Sequence, residues 1–139
     1  MVNHIRCKMN NSLCKLMLIL LSVLAGCRGS DVYRGDWKAL DRKGNKTEIT
    51  FDAKRFTVNY ENGTTETLAY TQNSISIRNS TRKYGIKLKD GRFFYIYFPL
   101  SGETSKGCIT LESMEPIYTI GRTDYVPFDE IIKPGSAKH

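Results

Sequence analysis

From Trp37 onward apolar and polar side chains alternate with a period of two, the spacing of a strand with one buried face. Turn residues interrupt that alternation about every ten positions, the rhythm of a β-sandwich or barrel. Trp37 to Asp41 is the first expected strand and ends at Arg42-Lys43-Gly44-Asn45. Lys46 to Phe51 follows, with Thr47, Ile49 and Phe51 on one face, and then a strand carrying Phe56, Val58 and Tyr60. Asn62-Gly63 is the strongest hairpin signal, because both residues tolerate positive φ. Thr64 to Tyr70 returns with Leu68 and Tyr70 in phase, and Glu66 in the same phase, which places Glu66 at a barrel rim or shifts the register.

Ile75 and Ile77 mark a further short strand, and Tyr84, Ile86 and Leu88 another, with Lys83 and Lys87 on its outer side. Asp90-Gly91 makes the next turn. Arg92 to Phe98 is apolar on both faces, so something besides the core must cover one of them. Gly107 to Leu111 and Ile117 to Arg122 complete the set, and Tyr125 to Ile132 reads as a strand end with a short turn of helix. The sum is eight or nine short antiparallel strands and no internal repeat. A closed meander removes the exposed edges of such a sheet, so the expected fold is all-β, a small antiparallel barrel with its C-terminal segment packed outside.

The N-terminal segment has a different pattern. Arg6, Lys8 and Lys15 precede the apolar run Leu16 to Ala25, and no acid occurs among them. That run is too short to span a bilayer, which takes about 20 apolar residues; it has the form of an export signal. Leu24-Ala25-Gly26-Cys27 resembles the lipobox of bacterial lipoproteins. The resemblance implies cleavage between Gly26 and Cys27 and at least a diacylglyceryl group on Cys27, with palmitate-type chains that hold the protein stably at a membrane. Arg28, rather than Asp, implies the outer membrane in a two-membrane cell and the outer leaflet of the cell membrane otherwise.

The expected organisation is a signal peptide over 1–26, a lipidated N-terminus and short tether over 27–34, a barrel over 35–133 and a disordered tail over 134–139. Removal of 26 of the 139 residues leaves 113, enough for one domain. The signal takes three of the 21 basic residues and none of the 14 acids, leaving an excess of four positive charges. Such an excess favours an anionic membrane surface weakly and gives no ground for a nucleic-acid partner. Of four cysteines only Cys108 would remain unmodified, so packing rather than a disulfide must hold the fold.

Gly35-Asp36-Trp37 at the first strand and Ile120-Gly121-Arg122 at the last look like the calycin pattern of lipocalins, avidin-like barrels and small bacterial protease-inhibitor barrels. The resemblance implies that Trp37 closes one barrel end and Arg122 stacks across it. Without it, Trp37 is a core aromatic and Arg122 a surface cation.

Chemistry is poorly provided for. The mature chain has His139 as its single histidine, which leaves a Ser or Cys nucleophile without a base. Zinc and copper would lack their commonest ligands, no Gly-rich phosphate loop occurs, and nothing pairs Glu103, Glu112 or Glu115 across a cleft. The expectation is a protein that is not an enzyme and needs neither metal nor cofactor beyond its covalent lipid. Its candidate partner surface is Phe93, Tyr95 and Tyr97 with Arg82, Lys83 and Lys87, a tyrosine-rich strand beside a basic one. The leading expectation is an extracytoplasmic lipoprotein that binds an envelope protein. The alternatives are a carrier or sensor of a small apolar ligand, in a cavity lined by Phe51, Phe56, Tyr60, Tyr70, Tyr84, Phe94 and Phe98, and an inhibitor or exclusion protein acting on a protease, toxin or phage.

Overall fold

The computed structural model describes residues 31–132; Gly26, Cys27 and the expected tail over 134–139 lie outside them. Tyr33 begins the compact unit. Eight strands form it: β1 Gly35–Asp41, β2 Lys46–Phe51, β3 Arg55–Tyr60, β4 Thr65–Arg78, β5 Thr81–Leu88, β6 Phe93–Phe98, β7 Lys106–Leu111 and β8 Pro116–Gly121. Each pairs antiparallel with the next, and β8 returns to β1, closing the barrel. The short helix α1, Phe128–Ile131, follows.

An up-and-down meander puts alternate connections at opposite ends. The upper end carries the hairpins β1–β2, β3–β4, β5–β6 and β7–β8. The lower end carries the other loops and both the entry and exit of the chain.

The four upper hairpins share one design. In each, the strand residue before the loop donates its N–H to the carbonyl four positions on: Asp41 to Asn45, Tyr60 to Thr64, Leu88 to Arg92 and Leu111 to Glu115. Three-residue loops of this kind need a left-handed residue in last place. Gly44, Gly63 and Gly91 supply it at φ 84°, 86° and 97°, and Met114 supplies it at φ 69°. Asn62-Gly63 is therefore not a two-residue turn with positive φ at both positions. Gly63 alone takes the left-handed conformation, and the Asn62 side-chain oxygen accepts from the Thr64 N–H.

β4 also departs from expectation. Ile75 and Ile77 do not start a separate strand; β4 runs on through a bulge between Gln72 and Ser74 and turns back only at Asn79-Ser80. Both turn residues are left-handed, φ 50° and 62°, as a two-residue turn matching strand twist requires.

The lower half of the interior is filled by rings. Tyr33, placed in the tether by sequence, is 1% exposed and packs against Phe51 and Tyr84, centroids 5.5 and 4.9 Å away. Trp37 lies 5.8 Å from Phe98 and donates its indole N–H to the Tyr33 carbonyl at 2.6 Å. Tyr33 sits inside because the barrel end needs a plug and its hydroxyl finds an acceptor there, the Gln72 side-chain carbonyl at 2.7 Å.

The C-terminal segment packs outside, on β7. Val126 and Ile131 cover Cys108, and Tyr97, Leu100 and Ile132 border that cluster. Thr119, fully buried, donates its hydroxyl to the Val126 carbonyl.

Candidate functional site: a cavity at the upper end of the barrel

The upper half of the barrel is hollow. Beside the larger Phe94 and the rim tyrosines, its inward side chains are of middle size, Ile49 on β2, Val58 on β3, Leu68 on β4, Ile86 on β5 and Ile109 on β7, and they leave the axis open. A cavity of about 190 Å³ opens between them. Phe51 and Phe56, 5.4 Å apart, belong to both halves and wall the cavity off from the Tyr33 plug.

The mouth is polar. Tyr60 donates its hydroxyl to Glu66 at 3.1 Å, and Arg92 and Tyr118 complete the rim. Glu66 pairs with Val58 across β3 and β4, so its side chain belongs to the inward phase, and at the top of its strand it reaches the rim. Arg92 is held by Asp90, 2.8 Å away, which lowers the Asp90 pKa through that hydrogen bond and raises that of Arg92. Burial raises the pKa of both tyrosines; the hydrogen bond to Glu66 adds to it at Tyr60, and the negative charges of Asp41 and Glu66 add to it at Tyr118. Both phenols are thus neutral donors at ordinary pH.

The cavity takes in only part of the aromatic set expected to line it. Phe51, Phe56, Tyr60 and Phe94 line it; Tyr70, Tyr84 and Phe98 pack in the lower half. Sequence reasoning missed the polar rim, since Arg92 in the β5–β6 hairpin loop and Tyr118 on β8 lie far along the chain from Tyr60; only the out-of-place Glu66 signalled it.

At the opposite end, Arg122 lies over Trp37, 3.7 Å from the ring centre, and donates to the carbonyls of Asp36 and Arg34 at 3.0 and 2.6 Å. Gly35, at φ 102°, passes beside it, and a Cβ there would meet the guanidinium at 2.9 Å.

The six residues of the expected partner surface are divided. Lys87 pairs with Phe93 and Lys83 with Tyr97, so these four and Tyr95 share the outer face of β5 and β6. Arg82 pairs with Phe98 in the inward phase and lies at the lower rim instead. On the outer face Phe93 and Tyr95 meet edge to face at 5.0 Å, and Lys83 caps Tyr95 at 4.8 Å. They lie over Gly85, where a Cβ would meet Phe93 at 2.9 Å. The C-terminal segment reaches Tyr97; Phe93 and Tyr95 are half-buried by one another and by Lys83.

Among the described residues no three His, Cys, Asp or Glu side chains converge as a metal site would require. Cys108 is buried and its thiol is pushed up to about 12 by desolvation, which makes it inert at neutral pH. No protein-family model, curated protein or solved structure matches this chain.

Proposed function

We propose that this is an extracytoplasmic lipoprotein, tethered through Cys27, whose barrel takes up a small apolar molecule without acting on it chemically. The observation that carries the reading is the hollow upper half with its polar rim. An apolar pocket bearing a few convergent polar groups is the usual form of a small-molecule site. An engineered apolar cavity of about 150 Å³ holds benzene. The present one, about 190 Å³, matches an apolar body of roughly eight carbons. A single hydroxyl head would sit at the rim, donating to Glu66 and accepting from Arg92 or Tyr118. The stacked Trp37 and Arg122 support kinship with calycin-type barrels, several of which hold ligands inside. The mouth lies at the end opposite to Tyr33, where the chain enters the barrel.

Isoleucine methyl groups report this directly. On titration with 1-octanol, the methyl resonances of Ile49, Ile86 and Ile109 should move while that of Ile96 does not. Unmoved cavity methyls at saturating alcohol would defeat the proposal.

A second reading, an envelope protein as partner, is favoured by the Phe93–Tyr95 pair on the outer face. Loss of partner recovery on Tyr95→Ser, with the octanol response intact, would establish it as a separate site.

A further inference from the structure

The barrel is closed, yet its strands are staggered, and among the described residues one stretch of strand edge has no strand paired to it. β3 and β4 pair only up to Arg55 and Ala69, and the last bond of that ladder runs from the Tyr70 N–H to the Lys54 carbonyl. β4 continues for eight more residues, Thr71 to Arg78, paired on its other side with β5. Among the described residues no strand flanks that extension on the β3 side.

The direction of its free backbone groups follows from the pairing. Antiparallel neighbours alternate between pairs that exchange both hydrogen bonds and pairs that exchange none. Arg78 and Thr81 close the two-residue turn and are of the first kind. Counting back, Ser76 with Lys83 and Ser74 with Gly85 are also of the first kind, while Ile77 with Arg82 and Ile75 with Tyr84 are of the second. Ile75 and Ile77 therefore aim their N–H and C=O groups away from β5. The same two residues are 46% and 59% exposed, among the few large apolar side chains left in water.

The surroundings are basic. Lys54 and Arg55 stand where the free edge begins, Arg78 where it ends, and Arg82 pairs with Ile77. From Thr67 to Leu88 no acidic residue occurs on β4 or β5; the acids that flank the edge are Asp52 in the β2–β3 turn, near its start, and Glu103 in the β6–β7 loop, which bonds to the Asn79-Ser80 turn at its end.

We infer that the β4 edge from Ser74 to Arg78 is a docking site for an extended segment of another protein, apolar and acidic residues in alternation, added as a further strand. Exposed edges are templates for pairing, and proteins that do not use them bury, shorten or charge them. Here a bulge bounds the edge on one side and Arg78 on the other, leaving an interval that a short strand fits. The strand would satisfy the outward backbone groups, its apolar residues would cover Ile75 and Ile77, and its acids would meet Lys54, Arg55 and Arg78. A bilayer surface would attract the cations but would leave the amides without partners. The site is independent of the cavity, which lies at the other end.

Proline provides the discriminating variants, since it removes an N–H and is tolerated only where that N–H does not serve the ladder. Ile75→Pro and Ile77→Pro should fold, whereas Ser76→Pro should disrupt the β4–β5 hairpin. The probe is a seven-residue peptide of alternating valine and glutamate, added to the full chain and followed by amide exchange and by affinity. Binding should slow exchange at Ile75 and Ile77 selectively. Each of the two tolerated proline variants should weaken it by about tenfold or more, and replacing the glutamates by lysine should abolish it.

Equal affinity for the proline variants, or unchanged exchange at the two amides, overturns the inference. Protection that appears without peptide overturns it as well. If that protection grows with protein concentration the occupant is a second copy of this chain, and if it is constant the occupant is the chain's own N-terminal segment.

Discussion

Arg122 lies over Trp37 at 3.7 Å and at the same time donates to two carbonyls of the chain that enters the barrel. One planar cation thus joins the last strand to the first and shields the indole from below. The joint makes a demand on its neighbour, for Gly35 must be left-handed and must lack a Cβ.

Arg122→Ala should therefore cost about 2 kcal/mol, from a partly desolvated cation–π contact and two charge-assisted hydrogen bonds. Lysine keeps the charge but not the planar fork, and should restore less than half of that. Gly35→Ala should lose at least as much, about 2 kcal/mol, from left-handed strain plus the clash. Urea unfolding midpoints rank the three; an Arg122→Lys variant as stable as the natural protein would mean that the fork contributes nothing.

Met114 occupies a position that the three equivalent hairpins give to glycine. Its φ of 69° carries strain that glycine would not, and its sulfur gains only a long contact from the Thr110 hydroxyl at 3.8 Å. Met114→Gly should stabilise the barrel by about 0.5–1 kcal/mol after allowing for the greater chain entropy of glycine when unfolded. A rise in melting temperature without change in fold is the expected result.

Met114 also shows where the sequence is silent. The hairpins after Asp41, Tyr60 and Leu88 are legible because glycine marks the left-handed position, whereas Glu112-Ser113-Met114 forms the same loop with no such mark. Strand alternation made the barrel and most of its inward residues legible, since a period of two in a closed sheet leaves one face for the core. Ile75 and Ile77 do lie in a strand, as their alternation indicates, but in the continuation of β4 and not in a separate one. A bulge at Asn73 carries β4 past the end of β3, and among the described residues no strand pairs with it there and both side chains are exposed. Tyr33 was illegible because it lies in no strand; its burial comes from a barrel end that only the closed structure defines. The cavity was half legible. The aromatic set was visible, but which of its rings fill the lower half depends on stagger between strands.

The proposed lipid anchor on Cys27 predicts a clean separation of place from fold. Cys27→Ser should leave a barrel with unaltered melting temperature while the protein accumulates uncleaved and carries no acyl chains. Metabolic labelling with a fatty acid reads the loss of acyl chains, and the greater mass of the precursor that keeps residues 1–26 reads the loss of cleavage. If Cys27→Ser is still processed and still partitions with the membrane, the proposed address is wrong, and the cavity and strand edge would need another setting.

Cys108 makes stability depend on pH in a calculable direction. Burial under Val126 and Ile131 raises its folded pKa from 9.0 to about 12, so the unfolded chain gives up the proton first. A group raised in the folded state contributes its stability below the unfolded pKa and loses it as pH climbs to the folded one. The window here is about pH 9 to 12, and the whole contribution is at most about 4 kcal/mol. Tyr60, Tyr118 and Tyr125 shift in the same direction, so the cysteine must be isolated by comparison. Between pH 7 and about pH 10.5 the natural protein should lose roughly 2 kcal/mol more than Cys108→Ala does. Ile131→Ala, which thins the cover over the thiol, should narrow that difference and let a thiol reagent reach Cys108 at neutral pH. Equal pH profiles for the natural protein and Cys108→Ala would show that the C-terminal segment does not keep water from β7.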